Sequence, residues 1–109
     1  MVTHTVRHVQ YDDWDDMRIP DDKETFVQLM HYVHEEHGSG CHAPLVVHCF
    51  GGAGRTGTFL AIHISLQRMM RIGGKAINVL ELLGMMRNER AFLVQTQEQY
   101  KFCYRVILE

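Results

Sequence analysis

The sequence predicts an α/β domain in which a parallel or mixed sheet is flanked by helices, and three observations predict it. Pro44-Leu45-Val46-Val47 is a short, continuous apolar run of the kind that forms a strand buried on both faces. It leads through His48-Cys49 into a glycine-rich turn, and a long apolar stretch at helical spacing follows that turn. Near the start, Thr3 to Tyr11 mixes β-branched and polar residues, with Thr5, Arg7, Val9 and Tyr11 on one face, and reads as a second strand.

The remaining elements follow in order. After an acidic loop, Asp21-Asp22-Lys23-Glu24 sets a cap residue and a glutamate three positions later just beyond Pro20, which is a capping box. Phe26, Leu29, Met30 and Val33 then recur at helical spacing, so an amphipathic helix is expected to end near His37, where Gly38-Ser39-Gly40 breaks it. The strand at Pro44 to Val47 leaves Cys49 at its C-terminal end. From Thr58 to Ile72 the apolar residues cover more than one face, which predicts a largely buried helix closed by Gly73-Gly74. Ala76 to Asn88 carries Ile77, Leu80, Leu83 and Met86 at helical spacing. Thr96-Gln97-Glu98-Gln99 is a second capping box, opening a helix with Tyr100, Cys103, Val106 and Ile107 inward. Two strands among four helices are little sheet for a self-sufficient α/β fold, and the chain stops at Ile107-Leu108-Glu109 without a helix-ending residue. The expectation is therefore one partial domain over residues 1–109, incomplete on its N-terminal side.

Composition bounds the function. With 109 residues, 46% of them hydrophobic, and two prolines, the chain has the apolar supply of a single domain and no low-complexity stretch. Its formal net charge of −2 comes from 11 basic and 13 acidic residues, a balance that does not point to nucleic acid. No apolar run reaches membrane-spanning length, and the start lacks the pattern of a secretory signal, so a cytoplasmic location is expected. Cys41, Cys49 and Cys103 are an odd, sparse set that predicts reduced thiols rather than a disulfide framework.

The stretch from Val46 to Phe59 carries the chemistry, and it admits competing readings. Gly52-Ala53-Gly54-Arg55-Thr56-Gly57 satisfies the spacing of a dinucleotide-binding turn. That motif needs a second strand ending in an acidic residue, and the region from Lys75 to Glu81 reads as helix instead. A Walker loop needs a lysine where Arg55 stands. Neither uses Cys49. A loop between a strand and a helix N-terminus turns its backbone N–H groups inward, and the helix dipole adds positive potential, so Phe50, Gly51, Gly52, Ala53, Gly54 and Arg55 form a cradle for phosphate. Arg55 supplies a planar fork for two phosphate oxygens. The same field favours the thiolate of Cys49 over the thiol, which makes it a nucleophile at neutral pH.

His48-Cys49, five residues, Arg55-Thr56-Gly57 resembles the signature loop of the protein tyrosine phosphatase family. The resemblance extends in order along the chain: Val6-Arg7-His8-Val9-Gln10-Tyr11, then Trp14 and Pro20, the cysteine loop, and Val94-Gln95-Thr96 with Glu98-Gln99-Tyr100 and Phe102. It implies a phosphatase-like α/β fold represented by its C-terminal, catalytic part, and no metal or organic cofactor. It implies that Cys49 attacks phosphorus to give a phosphocysteine while the loop and Arg55 hold the equatorial oxygens. His48 would support the thiolate, Thr56 would ease its departure, and Gln95 would position the hydrolytic water. Read alone, His48 is equally a core histidine, Thr56 a helix cap and Gln95 a polar residue at a helix start. Asp16 would be the general acid, from the third position of a segment that reads Trp-Pro-Asp in the family and Trp14-Asp15-Asp16 here. The missing proline loosens that segment, and Asp12, Asp13 and Asp15 crowd negative charge around the acid. Trp14 would anchor its hinge. Phe50 replaces the small residue usual after the cysteine, crowding the pocket or packing under the loop. The implied partner is a phosphotyrosine-containing protein or peptide. The alternative is a pseudophosphatase that binds phosphotyrosine without turning it over.

Other constellations carry less. His31, His34, His37, Cys41 and His42 fit no standard zinc spacing and read as a solvated helix face with its turn. The acidic run from Asp12 to Asp22 lacks the glycine and closing glutamate of a calcium loop. Met69, Met70, Met85 and Met86 read as core filler.

Overall fold

Among the described residues, which are 3–12, 14–15, 17–37, 44–50, 53–72 and 78–107, the computed structural model holds four helices and no strand. They are α1 (Lys23–His37), α2 (Gly54–Ile72), α3 (Val79–Glu89) and α4 (Gln97–Ile107). The predicted α/β class, with its parallel or mixed sheet, is therefore corrected to an all-helical arrangement. A strand exists only when a neighbouring segment takes up its backbone N–H and C=O groups, and an apolar run within one segment cannot reveal whether that neighbour is there. Residues 3–11 and 44–47 have no regular structure, and Val6 and Val46 are 82% and 81% exposed. The run from Pro44 is thus not buried on both faces, although Val47 packs partly against the core.

Local caps set the helix starts. The cap of α1 is Asp22, one residue beyond the expected Asp21: Oδ1 accepts from Glu24 N at 3.0 Å, Oδ2 from Thr25 Oγ1 at 2.8 Å, and its carbonyl from Phe26 N at 3.1 Å. The hydroxyl of Thr25, then the amide of Glu24, hold the Asp22 carboxyl below the usual range. α2 begins a full turn before the predicted Thr58, because the Ala53 carbonyl already accepts from Gly57 N at 2.8 Å. The second half of the glycine turn is helix. α3 is capped at Asn78, whose Oδ1 accepts from Glu81 N at 3.0 Å; the expected start at Ala76 lies outside the described residues. Val79, Leu82, Leu83 and Met86 then face inward and Leu80 faces solvent. α4 opens on the predicted capping box, with Gln99 N donating to Thr96 Oγ1 at 3.1 Å and Thr96 N donating back to Gln99 Oε1 at 3.2 Å.

The core is an aromatic cluster around Phe26, which is fully buried on α1. The rings of Tyr11, Trp14, Phe59 and Phe102 stand edge-on to it at 6.4, 5.5, 6.4 and 5.1 Å. Each such pair adds about 0.5–1.5 kcal/mol to the area buried. The cluster fastens the segment before α1 to α2 and α4, and α2 packs in turn on α3 and α4. Of the four methionines expected as core, Met86 is buried and Met69 packs partly, while Met70 and Met85 lie on the surface.

Candidate active site

Three segments far apart in sequence meet at the N-terminus of α2. The first is α2 itself. Cys49 is half-buried, Phe50 is 95% exposed, and Gly51 and Gly52 lie outside the described residues. Phe50 therefore neither packs under the loop nor fills a pocket. Ala53 and Gly54 are buried, and Thr56 is 5% exposed with no hydrogen-bond partner for its Oγ1 among the described residues. No hydrogen bond from Thr56 to Cys49 is formed. His48 is exposed.

The second segment brackets Asp16, itself outside the described residues. Arg55 Nη1 donates to the Trp14 carbonyl at 2.8 Å. Trp14, buried against Phe26, donates from its indole N–H to the Arg18 carbonyl at 2.6 Å, and Arg18 N donates to the Asp15 carbonyl at 3.2 Å. The described residues on either side of Asp16 thus form a turn tied through Trp14 to Arg55.

The third segment is the loop before α4. Val94 N donates to the Ala53 carbonyl at 3.2 Å, the same carbonyl that caps α2. A Cβ on Gly54 would lie 2.5 Å from Gln95 Oε1, and one on Gly57 would lie 2.5 Å from Val94 N and 2.8 Å from Leu93 Cα. These glycines admit the Gln95 loop against α2; absence of a side chain, rather than backbone freedom, is what the site uses. Arg87 on α3 fixes the loop from behind, donating from Nε to the Leu93 carbonyl at 3.0 Å and from Nη2 to the Val94 carbonyl at 2.7 Å. An open cavity of about 430 Å³ beside Gln95 is lined by Met17, Arg87, Ala91, Phe92, Val94 and Gln95. Met17, Phe92 and Val94 have φ of 62°, 67° and 61°, a left-handed conformation that strains residues with side chains.

Arg55 is thus bonded to the Trp14 carbonyl, and Gln95 lies against Gly54 at the start of α2. Arg87 and Gln99 were not foreseen as site residues. Gln99 is visible in the sequence as the last residue of a capping box and as part of the family resemblance, neither of which gives it a role, and a lone arginine on a helix face carries no signal. The other described cysteine, Cys103, is buried in the core, where desolvation pushes its thiol up to about 12 and leaves it inert at neutral pH. Of the histidine cluster, His31, His34 and His37 lie on α1 and Cys41 and His42 fall outside the described residues; no group able to hold a metal ion occurs among the described residues.

The protein-tyrosine phosphatase family model matches residues 2–109, and the chain belongs to that family. It is 35% identical over 107 residues to tyrosine-protein phosphatase non-receptor type 20 of Homo sapiens, covering 98% of this chain and 24% of that protein. It is 37% identical over 108 residues to tyrosine-protein phosphatase Lar of Drosophila melanogaster, covering 98% of this chain and 5% of that one. The crystal structure of Trypanosoma brucei protein tyrosine phosphatase TbPTP1 superposes with a TM-score of 0.78 at 29% identity, over 91% of this chain and 34% of that chain. The chain thus spans a quarter or less of these two curated relatives. Among the described residues no helix is long and apolar enough to cross a membrane.

Proposed function

We propose that this chain carries the catalytic machinery of a protein tyrosine phosphatase that hydrolyses phosphotyrosine through a phosphocysteine. The observation that supports the reading is that the Trp14 turn bonds to Arg55 and the Gln95 loop packs on Gly54 and Gly57, so both meet the start of α2, which follows Cys49 in the sequence.

In the first step the Cys49 thiolate forms an S–P bond as the P–O bond to the tyrosyl oxygen breaks, and Asp16 gives its proton to the departing phenolate. The N–H groups of the α2 N-terminus and the Arg55 guanidinium hold the three equatorial oxygens, whose charge is spread in the transition state. In the second step water oriented by Gln95 gives a proton to Asp16 and attacks phosphorus, the S–P bond breaks, and phosphate and the Cys49 thiolate are released. No metal or organic cofactor takes part in this scheme. A thiolate used in this way has to stay reduced, which suits the cytoplasm.

The test is turnover of an aryl phosphate and of a phosphotyrosine peptide by the purified chain beside Cys49→Ser. The variant is expected to lose turnover and keep peptide binding, since the N–H cradle remains. Turnover near the parent's would show that another group attacks. A parent that binds the peptide and hydrolyses neither substrate would establish the pseudophosphatase alternative, to which Asp15 in place of the family's proline points.

A further inference from the structure

We infer that Gln99 is a positioning residue that locks the Trp14 to Arg18 turn and the Gln95 loop into one unit. Its consequence for rate rests on the phosphatase reading; its geometry does not. The side chain is completely buried. Its Oε1 accepts from both Gln95 N at 2.9 Å and Thr96 N at 3.2 Å, while its Nε2 donates to the Arg18 carbonyl at 3.2 Å. Oε1 also stands 3.2 Å from where a Cβ on Gly54 would be, against the α2 N-terminus.

Helix capping accounts for only part of this. A capping box needs an acceptor at this position for the Thr96 amide, and glutamate serves as well as glutamine. The bond to Arg18, across 81 residues of sequence, needs a donor on the same group. A neutral amide supplies both at once, and a carboxylate cannot. Arg18 O is shared with the Trp14 indole, and the Trp14 carbonyl is held by Arg55, so the amide closes a chain of hydrogen bonds running from Arg55 through the turn to Gln95. On the reading proposed above, the groups serving the first and second chemical steps are thereby set by one buried side chain.

Gln99→Glu separates the two halves of the role, because it keeps the acceptor and loses the donor. The substitution is read in two ways against pH. One readout is the emission of Trp14, the sole tryptophan, which shares its Arg18 acceptor with Gln99. The other is the ratio of turnover on a phosphotyrosine peptide, whose poor leaving group needs the acid, to turnover on an aryl phosphate with a good leaving group. At high pH the ionised carboxylate faces the Arg18 carbonyl; Trp14 emission should move, and the peptide rate should fall about tenfold further than the activated rate, the scale of one hydrogen bond. At low pH the buried carboxyl regains a proton, donates to Arg18, and both readouts should return toward the parent's.

A merely structural role lowers both substrates in parallel with no reversal by pH, and that result overturns the inference, as does parent-like Trp14 emission at every pH. If Gln99→Glu does not fold, exchange of the Gln99 side-chain amide hydrogens in the parent decides: protection supports the lock, and exchange at the rate of a free amide overturns it. If the parent hydrolyses neither substrate, the phosphatase reading has failed, and Trp14 emission still decides this one.

Discussion

Replacing Gly57 by alanine tests the contact on which the site is built. On helix propensity alone the change should stabilise α2 by about 1 kcal/mol, because glycine is the poorer helix former. The structure reverses the sign. The new methyl would lie 2.5 Å from Val94 N and 2.8 Å from both Leu93 Cα and Cβ, and backbone atoms cannot rotate away as the end of a side chain can. The Leu93-Val94 backbone is held by two hydrogen bonds from Arg87 and one to Ala53, so relief requires at least the Val94 to Ala53 bond to break. Overpacking costs about 1–3 kcal/mol and the lost hydrogen bond about 1 kcal/mol, which together exceed the propensity gain. A net loss of roughly 1–3 kcal/mol is expected in denaturant unfolding. Gly84→Ala on α3, where an added Cβ meets nothing within 4 Å, is the control and should gain about 0.5–1 kcal/mol. On the phosphatase mechanism proposed above, Gly57→Ala should also push Gln95 outward and slow breakdown of the phosphocysteine more than its formation, which a burst in phenol release would reveal. A Gly57→Ala chain as stable as the Gly84→Ala control would refute the close-approach argument.

Phe92→Gly should stabilise the chain by roughly 0.5–1 kcal/mol, because Phe92 holds a φ of 67° while 75% exposed, so strain is relieved at little cost in packing. Val94→Gly relieves similar strain at φ 61° but empties a buried position, and its denaturation midpoint should fall instead. Desolvation first, then the neighbouring His37 and His34, lower the pKa of His63, so the fold favours its neutral form. The stability this confers is complete above the ordinary histidine range and is lost as pH falls through the lowered folded-state value. Melting temperatures at pH 7.5 and 5.5 should therefore differ less for His63→Leu than for the parent. An equal difference would show that other groups carry the acid sensitivity.

How much could be read in advance depended on how local each signal was. The helices α1 and α4 are legible because a cap and an apolar period sit within one short window, and the cap of α3 is less so because Asn78 lies inside the stretch from Ala76 to Asn88 whose apolar residues recur at helical spacing. The sheet was not legible for the opposite reason: Val46 has every local mark of a buried strand residue and is exposed, since a strand's partner is not written in the strand. The family could be recognised from the order of residues around Cys49 and Arg55, but the packing role of two glycines could not. Gly54 and Gly57 serve as flat surfaces against Gln95 and Val94, a relation visible only once α2 and the loop before α4 are together.

The departure at Asp15 gains a physical meaning from the same contacts. A proline between Trp14 and Asp16 would fix one backbone angle covalently and remove one N–H. Without it, the turn is held by hydrogen bonds: Arg55 to the Trp14 carbonyl, and the Trp14 indole and Gln99 to the Arg18 carbonyl. Each of these contributes about 0.5–1.5 kcal/mol, somewhat more where the guanidinium donates, and each can be broken separately. Met17 at φ 62° opposes them with strain of order 1–3 kcal/mol. The turn is therefore held by these bonds against its own strain. Arg55 and Gln99 supply the bonds that hold it, and Gln99 also accepts from Gln95 N, so on the phosphatase reading a change at either residue should be felt both in the turn and in the Gln95 loop.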